Sequence, residues 1–192
     1  MGRPQEFDEG KALTAASHIF RRYGYGGVSV KTLEAETGLS SGSLYNSFGN
    51  KDAVFARVLD HYNETVVKSR IRTHLANPNS LAGLISLFQS LLEEPNDGAF
   101  GCLLTNSAIE FAGQDTAART AIDDGFAAFL TAFKATILAI QDVSEAQADG
   151  MSLRLLTYYQ GLLVLIRHGH DKASLRATIK DEITAIIGVI DA

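Results

Sequence analysis

Between residues 40 and 46 the chain places serines at 40, 41 and 43, a glycine at 42, a tyrosine at 45 and an asparagine at 46, with no long charged side chain among them. Leu44 and Phe48, four residues apart, mark the inward side of a helix carrying this stretch, so Ser41, Gly42, Ser43, Tyr45 and Asn46 face outwards. A small, hydrogen-bonding, uncharged helical face can approach another surface closely and offer it donors and acceptors. That is the chemistry a helix lying in a DNA major groove requires. Short amphipathic helices joined by a glycine turn also serve as plain packing units, and spacing alone leaves both readings open.

The elements on either side would have to position this face. Ser29 is an N-cap for a preceding short helix with Val30, Leu33 and Ala35 on or near one side. That helix stops at Thr37-Gly38, where glycine tolerates a left-handed exit, and Ser40 caps the next one. Upstream, Leu13, Ala16, Phe20 and Tyr23, flanked by Ala12 and Ile19, predict an amphipathic helix over residues 7–23 as the floor for both. The glycine cluster Gly24-Tyr25-Gly26-Gly27 ends it; without GxGxxG spacing or a preceding strand it reads as a turn, not a nucleotide cradle. Downstream, Asn50 caps a long helix running to about His74, with Val54, Phe55, Val58, Leu59, Tyr62 and Val66 inward. Asp52 suits the positive end of that helix, but Lys51 does not unless an anion such as a DNA phosphate stands opposite. Arg3, within Gly2-Arg3-Pro4, reads equally as a minor-groove arm or as a plain chain terminus.

Further helices are expected over residues 80–92, from Gly101-Cys102-Leu103 to Phe111, and over 115–140, 144–168 and 172–190, with an acidic loop after Glu93 and no strand pattern. The 144–168 helix is hydrophobic nearly all round, which implies burial on a second side. Leu175, Ile179, Ile183, Ile186 and Ile190 stripe the last helix, so the final pair is expected to form a four-helix interface across a two-fold axis.

With 192 residues and 46% hydrophobic composition the chain can bury a core of one domain or two small ones. No apolar run reaches the ~20 residues of a membrane span. The three acids within residues 1–10 do not resemble a signal peptide, and a cytoplasmic protein is expected. The net charge of −5 is unevenly spread: residues 1–51 hold six Lys or Arg against five acids, so DNA affinity would rest on placed contacts from a dimer.

Other chemistries find little support. Cys102, the single cysteine, excludes an intrachain disulfide and has the apolar flanks of a small buried hydrophobe. His168-Gly169-His170 has no recognisable third and fourth metal ligand. Asn106 and Glu110 share a helix face without forming a carboxylate pair, and no serine stands in a G-x-S-x-G elbow. Neither an enzyme nor a cofactor site is indicated. Tyr62, Phe88, Phe111, Phe126, Phe129, Tyr158 and Tyr159 could line an apolar ligand cavity, although helical aromatic stripes are more often core.

Gly38-Leu39-Ser40, Gly42-Ser43-Leu44-Tyr45, Phe48 and Lys51 together resemble the helix-turn-helix signature of the tetracycline-repressor (TetR) family, and Gly101-Cys102-Leu103 resembles the opening of the sixth helix in one of its subgroups. The resemblance implies an all-α fold of about nine helices. A DNA-binding domain over residues 1–50 would precede a ligand-binding and dimerisation domain over 51–192. It implies phosphate contacts from Ser29, Lys31, Ser43, Tyr45 and Lys51, and groove contacts from Ser40, Ser41, Gly42 and Asn46. Ser41 and Ser47 depart from the cations and rings common at those places, which predicts weaker phosphate anchoring and a different operator preference. Glu34 and Glu36 would have to point away from phosphate. The implied function is a DNA-binding transcriptional regulator, most simply a homodimeric repressor released from a near-palindromic operator by a small apolar inducer. A ligand-binding or scaffold protein of the same fold without DNA affinity is the alternative.

Overall fold

The computed structural model describes residues 7–77, 80–93, 100–112, 114 and 116–188. These residues form nine helices and no strand. In chain order they are α1 (Glu9–Gly27), α2 (Val30–Thr37), α3 (Ser41–Phe48), α4 (residues 51–74), α5 (Leu81–Gln89, continued by a 3-10 turn at Ser90–Glu93), α6 (Leu103–Glu110), α7 (Ala118–Ile140), α8 (Glu145–His168) and α9 (Lys172–Ile187). The proposed Arg3 arm and the Ile190 end of the last stripe lie outside the described residues. No helix among those described is long and apolar enough to cross a membrane.

Two compact units divide the chain. One takes the described parts of residues 1–65 and 103–123, the other those of 66–102 and 124–192. The first unit therefore extends past the expected boundary at residue 50, and it recruits α6 from the middle of the sequence. Within it α1 packs on α2, α4 and α6, and α3 packs on α2 and α4. Leu13, Phe20, Leu33, Leu44 and Phe55 are fully or almost fully buried there, each such side chain contributing about 1.5–3 kcal/mol. The second unit packs α9 on α5 and α8, around Leu84, Phe88, Phe129, Phe133, Leu155, Ile179 and Ile183.

Two expectations about α1 and α4 need correction. Tyr23 is 51% exposed rather than part of the inner stripe, with the Arg22 guanidinium 5.0 Å from its ring centroid. The regular helix breaks immediately afterwards at Gly24 (φ 72°), so the last turn no longer follows the face that the stripe defined. In α4 the segment Asn63–Val67 is π-helical, joining Lys51–Tyr62 to Lys68–His74. One extra residue in that turn moves the buried position from Val66 to Val67. The π turn also carries Asn63 into the core, where its Nδ2 donates to the Ala121 carbonyl at 2.7 Å.

Candidate nucleic-acid interface

Local capping fixes the α2–α3 geometry. The Ser29 hydroxyl accepts the Thr32 N–H at 3.1 Å, and the Ser40 hydroxyl accepts that of Ser43 at 3.2 Å. Gly38 turns the chain between them in the left-handed conformation (φ 71°, ψ 10°), its N–H donating to the Glu34 carbonyl. A side chain there would be strained, which is why the motif needs glycine at that position. Thr37 Oγ1 secures the same exit by donating to the Leu33 carbonyl at 2.6 Å. Leu44 is buried beneath α3, while Phe48 is half-buried with its ring edge-on to Phe7.

Of the side chains expected to face outwards, Gly42, Ser43 and Asn46 are exposed, while Ser41 and Tyr45 are half-buried; the Ser40 cap is exposed, as are Lys31, the Ser29 cap and Ala35 on α2. The Ser40 and Ser43 hydroxyls lie 3.1 Å apart, one donating to the other, so the accepting hydroxyl keeps its own O–H to donate outwards. A Cβ on Gly42 would meet only the Ser40 hydroxyl, at 3.8 Å, leaving open space above this part of the helix.

Two acids whose partners are backbone amides shape the site. Glu34 Oε1 accepts the Ser41 N–H at 2.5 Å, one of the unpaired donors at the α3 N-terminus. That bond, with Ser41's side chain and Lys31 nearby, lowers the Glu34 carboxyl below its ordinary range. Glu110, at the end of α6, accepts the backbone N–H groups of Tyr25 at 2.8 Å and Gly26 at 2.7 Å. One turn earlier on the same face Asn106 Nδ2 donates to the Arg21 carbonyl at 3.2 Å. The two α6 side chains thus supply a donor to the carbonyl before the Gly24 kink and acceptors to the amides after it.

Lys51 is the predicted phosphate contact whose surroundings differ most from expectation. Its ammonium donates to the Tyr25 carbonyl at 2.7 Å and lies 4.1 Å from the Tyr25 ring centroid. The unfavourable position of a cation at the start of α4 is therefore offset within the chain itself, by a carbonyl and a ring face. The Tyr25 hydroxyl in turn donates to Asp52 Oδ1. Burial, followed by that hydrogen bond and the Asp52 charge, pushes the Tyr25 phenol up to about 12. Nothing in the spacing of residues 25, 51, 52 and 110 announces this cluster, because its partners are backbone atoms and residues 26 to 85 positions apart.

The seven aromatic residues proposed for a ligand cavity do not form one group. Phe111 joins Tyr25 and Phe55 in the first unit, with centroids 5.1 and 5.5 Å away, and Tyr62 lies under the Arg21 guanidinium. In the second unit Phe88 stacks on Tyr158 at 5.6 Å and meets Tyr159 edge-on at 5.3 Å, while Phe129 lies 4.8 Å from Tyr159 and Phe126 is half-buried on α7. The two hydroxyls of that group are held, Tyr159 by Arg70 at 3.1 Å and Tyr158 by Thr178 at 3.0 Å. Among the described residues no group of three or more His, Cys, Asp or Glu is placed to hold a metal ion, and Cys102 is buried.

A capped helix, a glycine turn and a second helix with a small polar face, seated on a third helix, define a helix-turn-helix DNA-binding protein. Residues 12–58 match the pattern of bacterial regulatory proteins of the tetR family, and residues 79–181 match the C-terminal domain of LmrA/YxaF-like transcriptional regulators. The chain belongs to the TetR family of transcriptional regulators, a family of DNA-binding proteins and not of enzymes. It is 29% identical over 163 residues to the uncharacterized HTH-type transcriptional regulator YezE of Bacillus subtilis, covering 83% of each chain. It is also 41% identical over 61 residues to the HTH-type transcriptional repressor ComR of Escherichia coli, which is 32% of this chain and 29% of that one. The fold is similar to that of a cysteine mutant of the regulator CifR complexed with 26-bp double-strand operator DNA (TM-score 0.80, 23% identity, 96% of this chain and 99% of that one). It is likewise similar to SCO4454, a TetR-family regulator from Streptomyces coelicolor (TM-score 0.78, 17% identity, 93% of each chain).

Proposed function

We propose that this regulator is a cytoplasmic homodimeric repressor that binds a near-palindromic operator and leaves it when a small apolar molecule enters the second unit. The exposed, uncharged face from Ser40 to Asn46 carries the DNA half of this reading. Ser40, Ser41, Gly42 and Asn46 would meet base edges, and Ser29, Lys31, Ser43, Tyr45 and Lys51 would hold phosphates. The ComR name, a repressor, supports the direction of regulation. A dimer through α8 and α9 would set two recognition helices roughly 34–36 Å apart, one DNA turn.

Induction is a coupling between two sites. Helix α4 begins with Lys51, and close to its other end Arg70 donates to the Tyr159 hydroxyl. An inducer that parts the Phe88, Phe126, Phe129, Tyr158 and Tyr159 rings takes over that hydroxyl and displaces the Arg70 end of α4. The displacement reaches Lys51 and alters the spacing of the recognition helices. Tyr62 and Phe111, the remaining two rings of the expected set, stand on the first unit and would respond to α4 rather than touch this inducer.

Selection of bound sequences from a random DNA pool, with the wild type, Tyr45→Ala and Lys51→Ala, tests the reading. A palindrome recovered by the wild type and lost in both variants supports it. No enrichment at low salt would favour a ligand-binding protein that kept the fold without DNA affinity.

A further inference from the structure

Beneath the Tyr25 turn the first unit contains a cavity of about 380 Å³, lined by Tyr25, Asp52, Phe55, Phe111, Gln114, Thr116, Ala117 and Ala118. It is separate from the α5, α7 and α8 ring cluster assigned above to the inducer. Its volume falls within the ~300–1,000 Å³ of small-molecule sites. The lining has a specific chemistry. Tyr25, Phe55 and Phe111 form a triangle of mutually tilted rings, with centroids 5.1, 5.1 and 5.5 Å apart. Among the described residues lining it, Asp52 alone carries a charge. Aromatic faces beside a single carboxylate are the arrangement that attracts an organic ammonium, by ring quadrupole and by charge together. A carboxylate or phosphate ligand would instead face the Asp52 charge.

We infer that this cavity is a second effector site and that it takes a compact organic cation, an amine with an aromatic or alkyl body. The apolar body lies against Phe55, Phe111 and Ala118, and the ammonium donates to Asp52. Asp52 Oδ1 already accepts the Tyr25 hydroxyl, so the ligand competes for that oxygen and loosens the ring from α4. Tyr25 is also the residue whose carbonyl and ring hold Lys51, which brings the bound cation within one side chain of a proposed phosphate contact. This site needs no displacement of Arg70 or Tyr159, and its occupation can be tested without any operator.

The test is titration of the full-length protein with benzylammonium and, in parallel, with neutral benzyl alcohol, followed by calorimetry and by intermolecular NOEs to ring protons of Tyr25, Phe55 and Phe111. The ammonium is expected to bind the wild type about fivefold or more tighter than the alcohol, and to show NOEs to those rings. Asp52→Asn should erase the preference for the ammonium, and Ala118→Phe, which fills the cavity, should abolish binding of both. Equal binding of the two probes, no binding of either, or ammonium binding that gives no NOE to the three rings would overturn the proposal. The NOE measurement uses only the wild type, so the outcome stands even if a variant fails to fold.

Discussion

The Lys51 ammonium donates to the Tyr25 carbonyl at 2.7 Å and sits over that residue's own ring, 4.1 Å from its centroid. The first cation of α4 is thereby fixed to the end of α1 without any DNA, and an ammonium so placed keeps further N–H groups for the phosphate contact proposed above. Pre-positioning of this kind lowers the side-chain ordering cost of binding.

Lys51→Ala should weaken operator binding and reduce the slope of log affinity against log salt by about two, one contact from each protomer of the proposed dimer. Fluorescence anisotropy on a fixed operator across a salt series measures both quantities. Affinity that falls while the slope stays unchanged would mean that Lys51 acts only by holding the Tyr25 turn, with no phosphate in reach.

Two glycines should respond in opposite ways to alanine. At Gly24 the backbone is at φ 72°, and a Cβ would stand 2.9 Å from Glu110 Oε2, so Gly24→Ala should cost about 1–3 kcal/mol through backbone strain and displacement of the Glu110 carboxylate. At Gly42 the backbone is helical and the space is open, so Gly42→Ala should raise stability by up to about 1 kcal/mol. The same methyl group would lower operator affinity if α3 approaches the bases as closely as proposed. Urea unfolding midpoints and operator titrations on the two variants measure this; a stabilised Gly42→Ala with unchanged operator affinity would place the groove contact elsewhere.

Local chemistry explains how much of this was readable from the sequence. Ser29, Ser40 and Asn50 cap their helices as the pattern predicted, because a cap depends on amides two or three positions away. Gly38 was legible for the same reason. The shift from Val66 to Val67 was not, since the π turn is tied to an Asn63 hydrogen bond reaching 58 residues along the chain. The spacing of Glu110 and Asn106 places them on one face, but their partners are backbone atoms at the end of α1, and no side-chain type encodes a carbonyl or an amide as partner. The charge of Lys51 is visible in the sequence but its neighbour is not, because Tyr25 lies inside a glycine cluster that reads as a simple turn.

Tyr25 gives stability a dependence on alkaline pH. Its phenol is pushed up to about 12 in the folded chain, against about 10 when unfolded. The unfolded chain therefore gives up this proton first. The contribution is fully present below about pH 10 and is lost as pH rises towards about 12. Urea midpoints measured across this window should fall more steeply for the wild type than for Tyr25→Phe. Equal slopes would show that the phenol is not held away from ionisation, and the phenolate absorbance of the folded wild type provides an independent reading of the same pKa.

The outer face of α8 provides the sharpest test of assembly. Leu153 and Val164 are 58% and 52% exposed, and with Thr157 and Gly161 between them they follow one helical face. No atom lies within 4 Å of where a Gly161 Cβ would be, which gives a second helix room to approach. Leu165, 40% exposed, widens the apolar strip. Large exposed apolar side chains gathered on one helix face mark an interaction site, and symmetric pairing would cover them with the same face of a second copy. If the proposed dimer pairs through α8, replacing both Leu153 and Val164 with lysine should place like charges across its two-fold axis and leave a monomer in sedimentation. Operator affinity should fall with it, because one helix-turn-helix reaches only one half-site. A double variant that sediments as the wild type does would remove α8 from the interface, and a monomer with undiminished affinity for the full operator would remove the need for a dimer.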